Sequence, residues 1–405
     1  MIHLSKEQKT LFCLLRQSLW KETPEIPEGV DWEAVGKLAK EQDVVSFLYD
    51  GAAAANAPVP AALLQKWKSK MLQGVVRNER LLRAQEELLG WLREEEIPAV
   101  VLKGSSVSQY YPQPDLRILG DIDILVRKPD VDRVRELLEQ HGYRFTEHEH
   151  NFHLSFSHPN AYVEVHYNVT KLPDSDGGRA TQEVIDTFLT DVRQGSINRY
   201  EFPVLSEPNQ AIMLLLHMIR HMFASGIGLR QLTDWAVYMA TADMARFEKD
   251  TLPVLERCGL RKYAQAATGA CIRYLGLPEK GMDWCAGVDD DACELFLANV
   301  LRDGNMGQAN REATGGLLVD SGRMGKKSNP VGALLTRLTE LAYKNFPAVK
   351  KWKFLLPLFW VYLPLRYYFR TLTGKRPKNT VMKIIKASVT QRDLLETVKA
   401  FEIEK

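Results

Sequence analysis

Apolar residues recur at helical spacing through most of the first 95 positions. The stretches 7–19, 31–41 and 61–95 each set leucines, alanines and aromatics three or four apart, and Leu81, Leu82, Ala84, Leu88 and Leu89 form the clearest stripe. Asp31 stands where an N-cap belongs. Pro98 ends this pattern, and residues 99–102 are a short apolar run closed by Lys-Gly-Ser-Ser, the form of a buried strand running into a turn. From there to about Thr170 the pattern alternates. It predicts a strand over 99–102, a turn and helix over 104–111, a strand over 122–126, a helix over 131–140, and strands near 143–145, 152–156 and 162–165. Pro129 and Asp130 open the helix at 131 and Gly142 stops it.

After Lys171 a polar stretch with Pro173, Gly177 and Gly178 leads back to helical periodicity over 209–223, 229–241, 244–257 and 262–275. Between 302 and 329 glycines at 304, 307, 315, 316, 322 and 325 interrupt any periodicity, which predicts a long loop or lid. The expected fold class is α+β, a small mixed-sheet core flanked by helical domains at both ends. The expected divisions are 1–95 helical, 96–172 the α/β core, 173–300 a helical domain closing a cleft over it, 301–343 a Gly-rich loop and helix, and 344–405 a basic aromatic end.

A chain of 405 residues exceeds the size at which one core stops growing. With 45% apolar and 26% charged residues it has the composition of a globular protein, which excludes wholesale disorder and fibrous repeats. The net charge of +2 gives no global argument for nucleic acid, but the charge is uneven: residues 344–405 hold 14 basic and 4 acidic side chains. Five cysteines without a C-x-x-C pair suggest reduced thiols, and the first residues lack a secretory pattern, so a cytoplasmic location is expected. Residues 354–365 carry no charge but are too few to span a bilayer, and they include Pro357 and Pro364. Lys350, Lys351, Lys353, Arg366, Arg370, Lys375, Arg376 and Lys378 surround them, so residues 350–378 suit either a packed helix with solvated charges or a peripheral contact with anionic lipid.

The chemistry concentrates in the alternating segment. Asp121 and Asp123, two apart on a strand, project to one side while Ile122 and Ile124 turn to the core. Paired carboxylates raise one another's pKa unless a cation offsets them, and Mg²⁺ prefers oxygen ligands. Tyr162, Glu164 and His166 share a face of a second stretch, so Glu164 adds a third carboxylate if the strands are neighbours. Three carboxylates can hold the two ions that activate a nucleophile and stabilise leaving pyrophosphate. Lys103, Gly104, Ser105 and Ser106 sit at a strand end before a helix, where glycine permits close approach and backbone N–H groups face an anion. Arg117, four residues before Asp121, is a candidate for bidentate phosphate contact. Singly these features are commonplace; their order is what discriminates.

In that order, Leu102, Gly104 and Ser105, then Asp121-Ile-Asp123-Ile, then Glu164 resemble the DNA polymerase β-type nucleotidyltransferase superfamily, with its hG[GS], Dh[DE]h and later acidic residue. The wider text, including VEVHY, His217, His221 and GLRQLTDWA, is similar to a bacterial group of uncharacterised nucleotidyltransferases often found beside biosynthetic genes. The resemblance implies a nucleotidyltransferase core in which Asp121, Asp123 and Glu164 bind Mg²⁺ (or Mn²⁺) and are catalytic. Lys103, Gly104, Ser105, Ser106 and Arg117 would then face the nucleotide, with Arg230 and Asp234 as pocket residues. It implies an NTP as substrate and an acceptor among small molecules, peptides or proteins. Lys103 departs from the superfamily, where many members carry an apolar residue before the motif glycine.

Two readings compete with an NTP-using transferase. One is a non-catalytic nucleotide- or partner-binding protein keeping the fold, against which three intact carboxylates argue, since unpaired acids at one site are costly. The other is a glycosyltransferase using Asp121-Ile-Asp123 for its metal, although such a fold places a Rossmann-like stretch where this chain has helices. No basic stripe with stacking aromatics surrounds the core, which weighs against a polynucleotide acceptor. Arg230 and Asp234 at i, i+4 also suit a plain intrahelical pair, and His217 and His221 at the same spacing suit pocket or structural roles better than a metal. Six of nine histidines fall between 141 and 166, but strand parity separates His153 from His148 and His150, which argues against zinc among them. His153 and His166 flank the carboxylates and are placed to tune them.

Overall fold

In the computed structural model the chain is described at residues 3–146, 152–224, 226–305, seven positions between 335 and 349, 352–372, and 397–403. His148, His150, most of the glycine-rich stretch and the basic positions 350, 351, 375, 376 and 378 lie outside those residues.

Four helices come first: α1 (Lys6–Trp20), α2 (Trp32–Glu41), α3 (Val45–Ala54) and the long α4 (Ala61–Glu94). Asp31 caps α2 as its position foretold, accepting from the backbone N–H groups of Glu33 and Ala34. The sheet section follows with β1 (Ala99–Val101), the single-turn α5 (Ser105–Ser108), β2 (Ile122–Val126), α6 (Val131–Gln140), β3 (Arg144–Thr146), β4 (His153–Ser157) and β5 (Tyr162–His166). After α7 (Asp176–Asp186) come β6 (Val192–Ile197) and β7 (Tyr200–Leu205). The rest is helical: α8 (Glu207–Ala224), α9 (Leu229–Thr241), α10 (Met244–Arg246), α11 (Leu252–Arg257), α12 (Arg261–Leu275), α13 (Asp290–Asp303) and α14 (Leu356–Leu372).

The seven strands form one mixed sheet in the order β3-β4-β5-β2-β1-β7-β6. β2 runs parallel to β5 and β1 parallel to β7, while the remaining pairs are antiparallel. The fold class is therefore the expected α+β, with a sheet larger than the sequence reading foresaw. The hairpin β6–β7 comes from a segment assigned to the helical region. Its Tyr200, Phe202 and Val204 alternate inward and Asn198 takes the positive φ of its turn, a period-2 signal that the polar β6 dilutes.

Alternation divides the core. Ile122, Ile124, Val163, Val165, Val101 and Val204 pack one sheet face against the Leu81–Leu92 stripe of α4 and against Val134 and Leu138 of α6. Val100, Leu102, Leu125 and Leu205 belong to the other face, which joins the larger apolar cluster of the N-terminal and C-terminal helices. The polar stretch with Gly177 and Gly178 is the first turn of α7, not a linker. Ser175 caps that helix by accepting from Gly178 N–H, and a Cβ on Gly177 would lie 2.5 Å from the Phe401 carbonyl oxygen and 2.7 Å from that of Cys258. Glycine is needed there for close approach of the C-terminal residues, which bond back through Phe401 N–H to Gly259 O at 2.8 Å.

Candidate active site

The second sheet face carries the acids. Asp123 lies directly opposite Glu164 across the parallel pair β2–β5, and Asp121 stands just before β2 on the same parity. The carboxylate oxygens of Asp121, Asp123 and Glu164 come within 4.8 Å of one another, a group able to hold a metal ion. The isoleucines between them are buried in the core, as the alternation requires.

Lys103 stands in the middle of this group. Its ammonium is 2.5 Å from Asp123 Oδ2 and 3.9 Å from both Asp121 Oδ2 and Glu164 Oε2, with the Lys103 side chain only 13% exposed. Burial by itself would lower the Lys103 pKa, but the three carboxylates outweigh it and raise the group above its ordinary value. A cation is thus already held where three acids converge. Asp123 Oδ2 is fully buried and is engaged by the lysine ammonium, so a hard cation binding there must share or displace that contact.

Two histidines complete the cluster. His166 Nε2 lies 3.0 Å from Asp123 Oδ1 and 3.4 Å from Glu164 Oε2, and His153 Nε2 lies 3.7 Å from Glu164 Oε1. For His166 burial disfavours the charged ring, yet the bonds to Asp123 and Glu164 prevail and raise its pKa. Burial would raise the Glu164 carboxyl, but the His166 bond and the Lys103 charge hold it well below the usual carboxylate range. At neutral pH Glu164 is therefore an anion and a poor proton acceptor.

Gly104 has φ +69° and ψ −108°, a conformation open essentially to glycine alone, and its position lets the chain pass close to the Asp121 carbonyl. Ser105 Oγ donates to Gln85 Oε1 at 2.5 Å and so is engaged within the protein, while the buried Ser106 hydroxyl has no hydrogen-bond partner.

Arg117 and Asp234 meet each other. Arg117 Nε and Nη2 each lie 2.7 Å from an oxygen of Asp234, both residues are buried, and Tyr111 Oη donates to the same carboxylate at 2.7 Å. Burial disfavours the Arg117 charge, but Asp234 more than compensates and its pKa rises. The two residues engage each other as a strut between the segment before Asp121 and α9, and phosphate contact by Arg117 would require breaking it. Nor do Arg230 and Asp234 form the i, i+4 pair that their spacing allowed: Arg230 instead bonds Asp43 Oδ2 at 2.7 Å, a partner 187 positions away that no local pattern signals.

His217 and His221 stack edge to face on α8, with ring centroids 4.4 Å apart. Burial, then the neighbouring His221 and the charges of Lys103 and Arg230, push His217 well below its ordinary pKa. Burial, followed by Lys103, Arg220 and Arg230, brings His221 down to about 3. Both imidazoles are thus held neutral within electrostatic reach of Lys103 and Arg230.

The sequence model of a family described as "Uncharacterised nucleotidyltransferase" matches residues 28–276, more than half of the chain and the whole of this site. No curated protein and no solved structure matches.

Proposed function

The chain belongs to that uncharacterised nucleotidyltransferase family, and from this premise we propose that it moves a nucleoside monophosphate from an NTP to an acceptor hydroxyl or phosphate. An acceptor oxygen would attack the α-phosphorus, a hydroxyl acceptor losing its proton to solvent water, the bond from that phosphorus to the bridging oxygen would break, and pyrophosphate would leave with the electron pair. The observation that carries the reading is the convergence of Asp121, Asp123 and Glu164 from two neighbouring strands within ligand reach of one ion.

These three carboxylates would hold Mg²⁺. Bound there, the ion supplies charge stabilisation to the attacking and leaving oxygens. Glu164, held ionised, serves better as a ligand than as a general base. Lys103 has the charge to exchange carboxylate contacts for phosphate oxygens. His217 and His221 stay neutral near Lys103, and the Arg117–Asp234 pair ties the segment before Asp121 to α9, a positioning role.

The test presents purified protein with Mg²⁺, each labelled NTP in turn and a cell extract, comparing wild type with Asp121→Asn and Asp123→Asn. Wild type is expected to transfer label and both variants to fall to background with circular dichroism unchanged. NTP-dependent transfer retained in both variants rejects the reading.

A lipid surface as an additional contact is favoured by α14. Among the described residues, no helix is long and apolar enough to cross a membrane. Yet six of the ten exposed large hydrophobic side chains among those residues are Trp352, Phe354, Leu358, Val361, Tyr362 and Leu365. The opposite side of the helix packs inward: Trp360 Nε1 donates to Thr339 Oγ1 at 2.8 Å, and Phe359 meets Phe346 with ring centroids at 4.7 Å. An apolar outer face edged by Lys353 and Arg366 suits insertion at an anionic interface.

A further inference from the structure

We propose that His153, Glu164 and His166 form a second cation site, with two imidazole nitrogens and one carboxylate, that takes a transition ion such as Zn²⁺ in preference to Mg²⁺ and shares Glu164 with the all-oxygen group beside it. The placement follows from strand register. His153 on β4 is the direct antiparallel partner of His166 on β5, and Glu164, two residues before His166, shares its face. The two rings lie 4.8 Å apart between centroids, and both are buried, at 2% and 1% exposure.

The donor atoms converge. One ligand atom from each of the three residues lies within 4.8 Å of the other two. Glu164 turns Oε1 to His153 Nε2 at 3.7 Å and Oε2 to His166 Nε2 at 3.4 Å, so one carboxylate faces two imidazoles with separate oxygens. Oε2 also faces Lys103 at 3.9 Å, which makes Glu164 the group common to both sites.

Hydrogen bonding alone does not account for the polar groups gathered here. His166 Nε2, the nitrogen turned to Glu164, also lies 3.0 Å from Asp123 Oδ1, so an ion taken there replaces that contact, while its Nδ1 and the hydroxyl of Ser155, the residue paired with Glu164 across β4–β5, are buried without hydrogen-bond partners. Buried polar atoms left over in this way mark places where a further partner belongs. Donor chemistry decides its kind: Mg²⁺ prefers a shell of oxygens and retained waters, whereas two imidazoles and a carboxylate suit Zn²⁺ and its first-row neighbours. The two sites would then differ in the ion each selects.

The test uses the full chain without nucleotide, so its outcome is independent of the transfer reading. Chelator-stripped protein is titrated with Co²⁺ as a visible probe, then with Zn²⁺, in excess Mg²⁺. One equivalent of Co²⁺ should bind with d–d absorption, Zn²⁺ should displace it and Mg²⁺ should not. X-ray absorption of the Zn²⁺ form should show two imidazoles at about 2.0–2.1 Å. His153→Asn and His166→Asn should each weaken binding by more than the roughly 10–100-fold that outer-shell changes cause, while Asp121→Asn keeps the spectrum. An all-oxygen shell in wild type, absence of stoichiometric binding, or a spectrum lost in Asp121→Asn but kept in His153→Asn would each overturn the proposal. Should the histidine variants misfold, the wild-type absorption measurement still decides.

Discussion

Replacing Lys103 with methionine removes the one ammonium that contacts all three acids while keeping most of the side-chain volume. At an effective dielectric of about 20, unit charges 2.5 Å apart, as Lys103 and Asp123 are, attract by roughly 6–7 kcal/mol before desolvation is counted. What remains after desolvation is smaller, but taking away one partner of a buried pair typically costs about 3–5 kcal/mol, because the other charge stays behind uncompensated. The Asp123 side chain is wholly buried, so that estimate applies without a solvent discount. Lys103→Met should therefore unfold at distinctly lower urea than wild type in chelator. Mg²⁺ should restore much of the difference, since an ion that binds only the native state stabilises it by about 2.7 kcal/mol at a hundred times its dissociation constant. The same variant should bind Mg²⁺ more tightly than wild type in the absence of nucleotide, as no tethered cation competes for the oxygens. Urea titrations with and without Mg²⁺, followed by fluorescence, read both effects. Equal midpoints for variant and wild type in chelator, together with no response to Mg²⁺, would refute the account of Lys103 as the resident counter-charge.

Asp234→Ala leaves the Arg117 guanidinium buried without its carboxylate and should cost about 3–5 kcal/mol in a denaturation titration; a loss under 1 kcal/mol would show that the strut bears no load. His217 and His221 titrate below their ordinary range in the native state, His221 at about 3. Between that value and the ordinary imidazole pKa, the unfolded chain binds protons that the native chain does not, so stability is lost as pH is lowered through this window. From pH 7 to pH 5 the loss should be up to about 2 kcal/mol per ring, and a His217→Gln/His221→Gln double variant should show a flatter dependence of Tm on pH; parallel curves would contradict the assignment. Taking the difference between variant and wild type cancels the opposite contribution of His166, whose raised pKa favours the native state at low pH. Vesicles containing phosphatidylserine should carry the protein upward in a density gradient, and Phe354→Ser with Leu358→Ser should abolish flotation; unchanged flotation would exclude this face.

The acid positions were legible because strand parity alone sets which side Asp121, Asp123 and Glu164 occupy, once β2 and β5 are neighbours. That adjacency was only a condition in the sequence. The hairpin β6–β7 escaped because Val192–Ile197 is mostly polar and exposed, so only one of its two strands shows alternation. The first turn of α7 escaped because two consecutive glycines read as a break; Gly178 lies against the Pro173 carbonyl, and Gly177 against the backbone of Cys258 and Phe401, a contact made by residues far along the chain. Long-range ion pairs were hidden for the same reason. Local spacing offered Arg230 a partner at Asp234, whereas folding gives it Asp43 and gives Asp234 to Arg117.

Lys103 shows how one departure from a pattern changes the chemistry of a site. An apolar residue before Gly104 would leave three acids beside only His153 and His166, and their repulsion would have to be relieved by protonation or by a bound ion. With lysine there, part of the negative charge is offset as folded, and Glu164, bonded by His166 and beside Lys103, stays ionised although largely buried. The acids are thus held in the form that binds a divalent cation while the empty pocket is prevented from collapsing or titrating. The cost is competition, because any ion must displace or accommodate the ammonium. A triphosphate offers that ammonium an alternative set of oxygens, so nucleotide and ion should bind with positive coupling, each freeing what the other needs. In wild type the apparent affinity for Mg²⁺ should rise when NTP is present by a larger factor than in Lys103→Met, where nothing has to be moved aside.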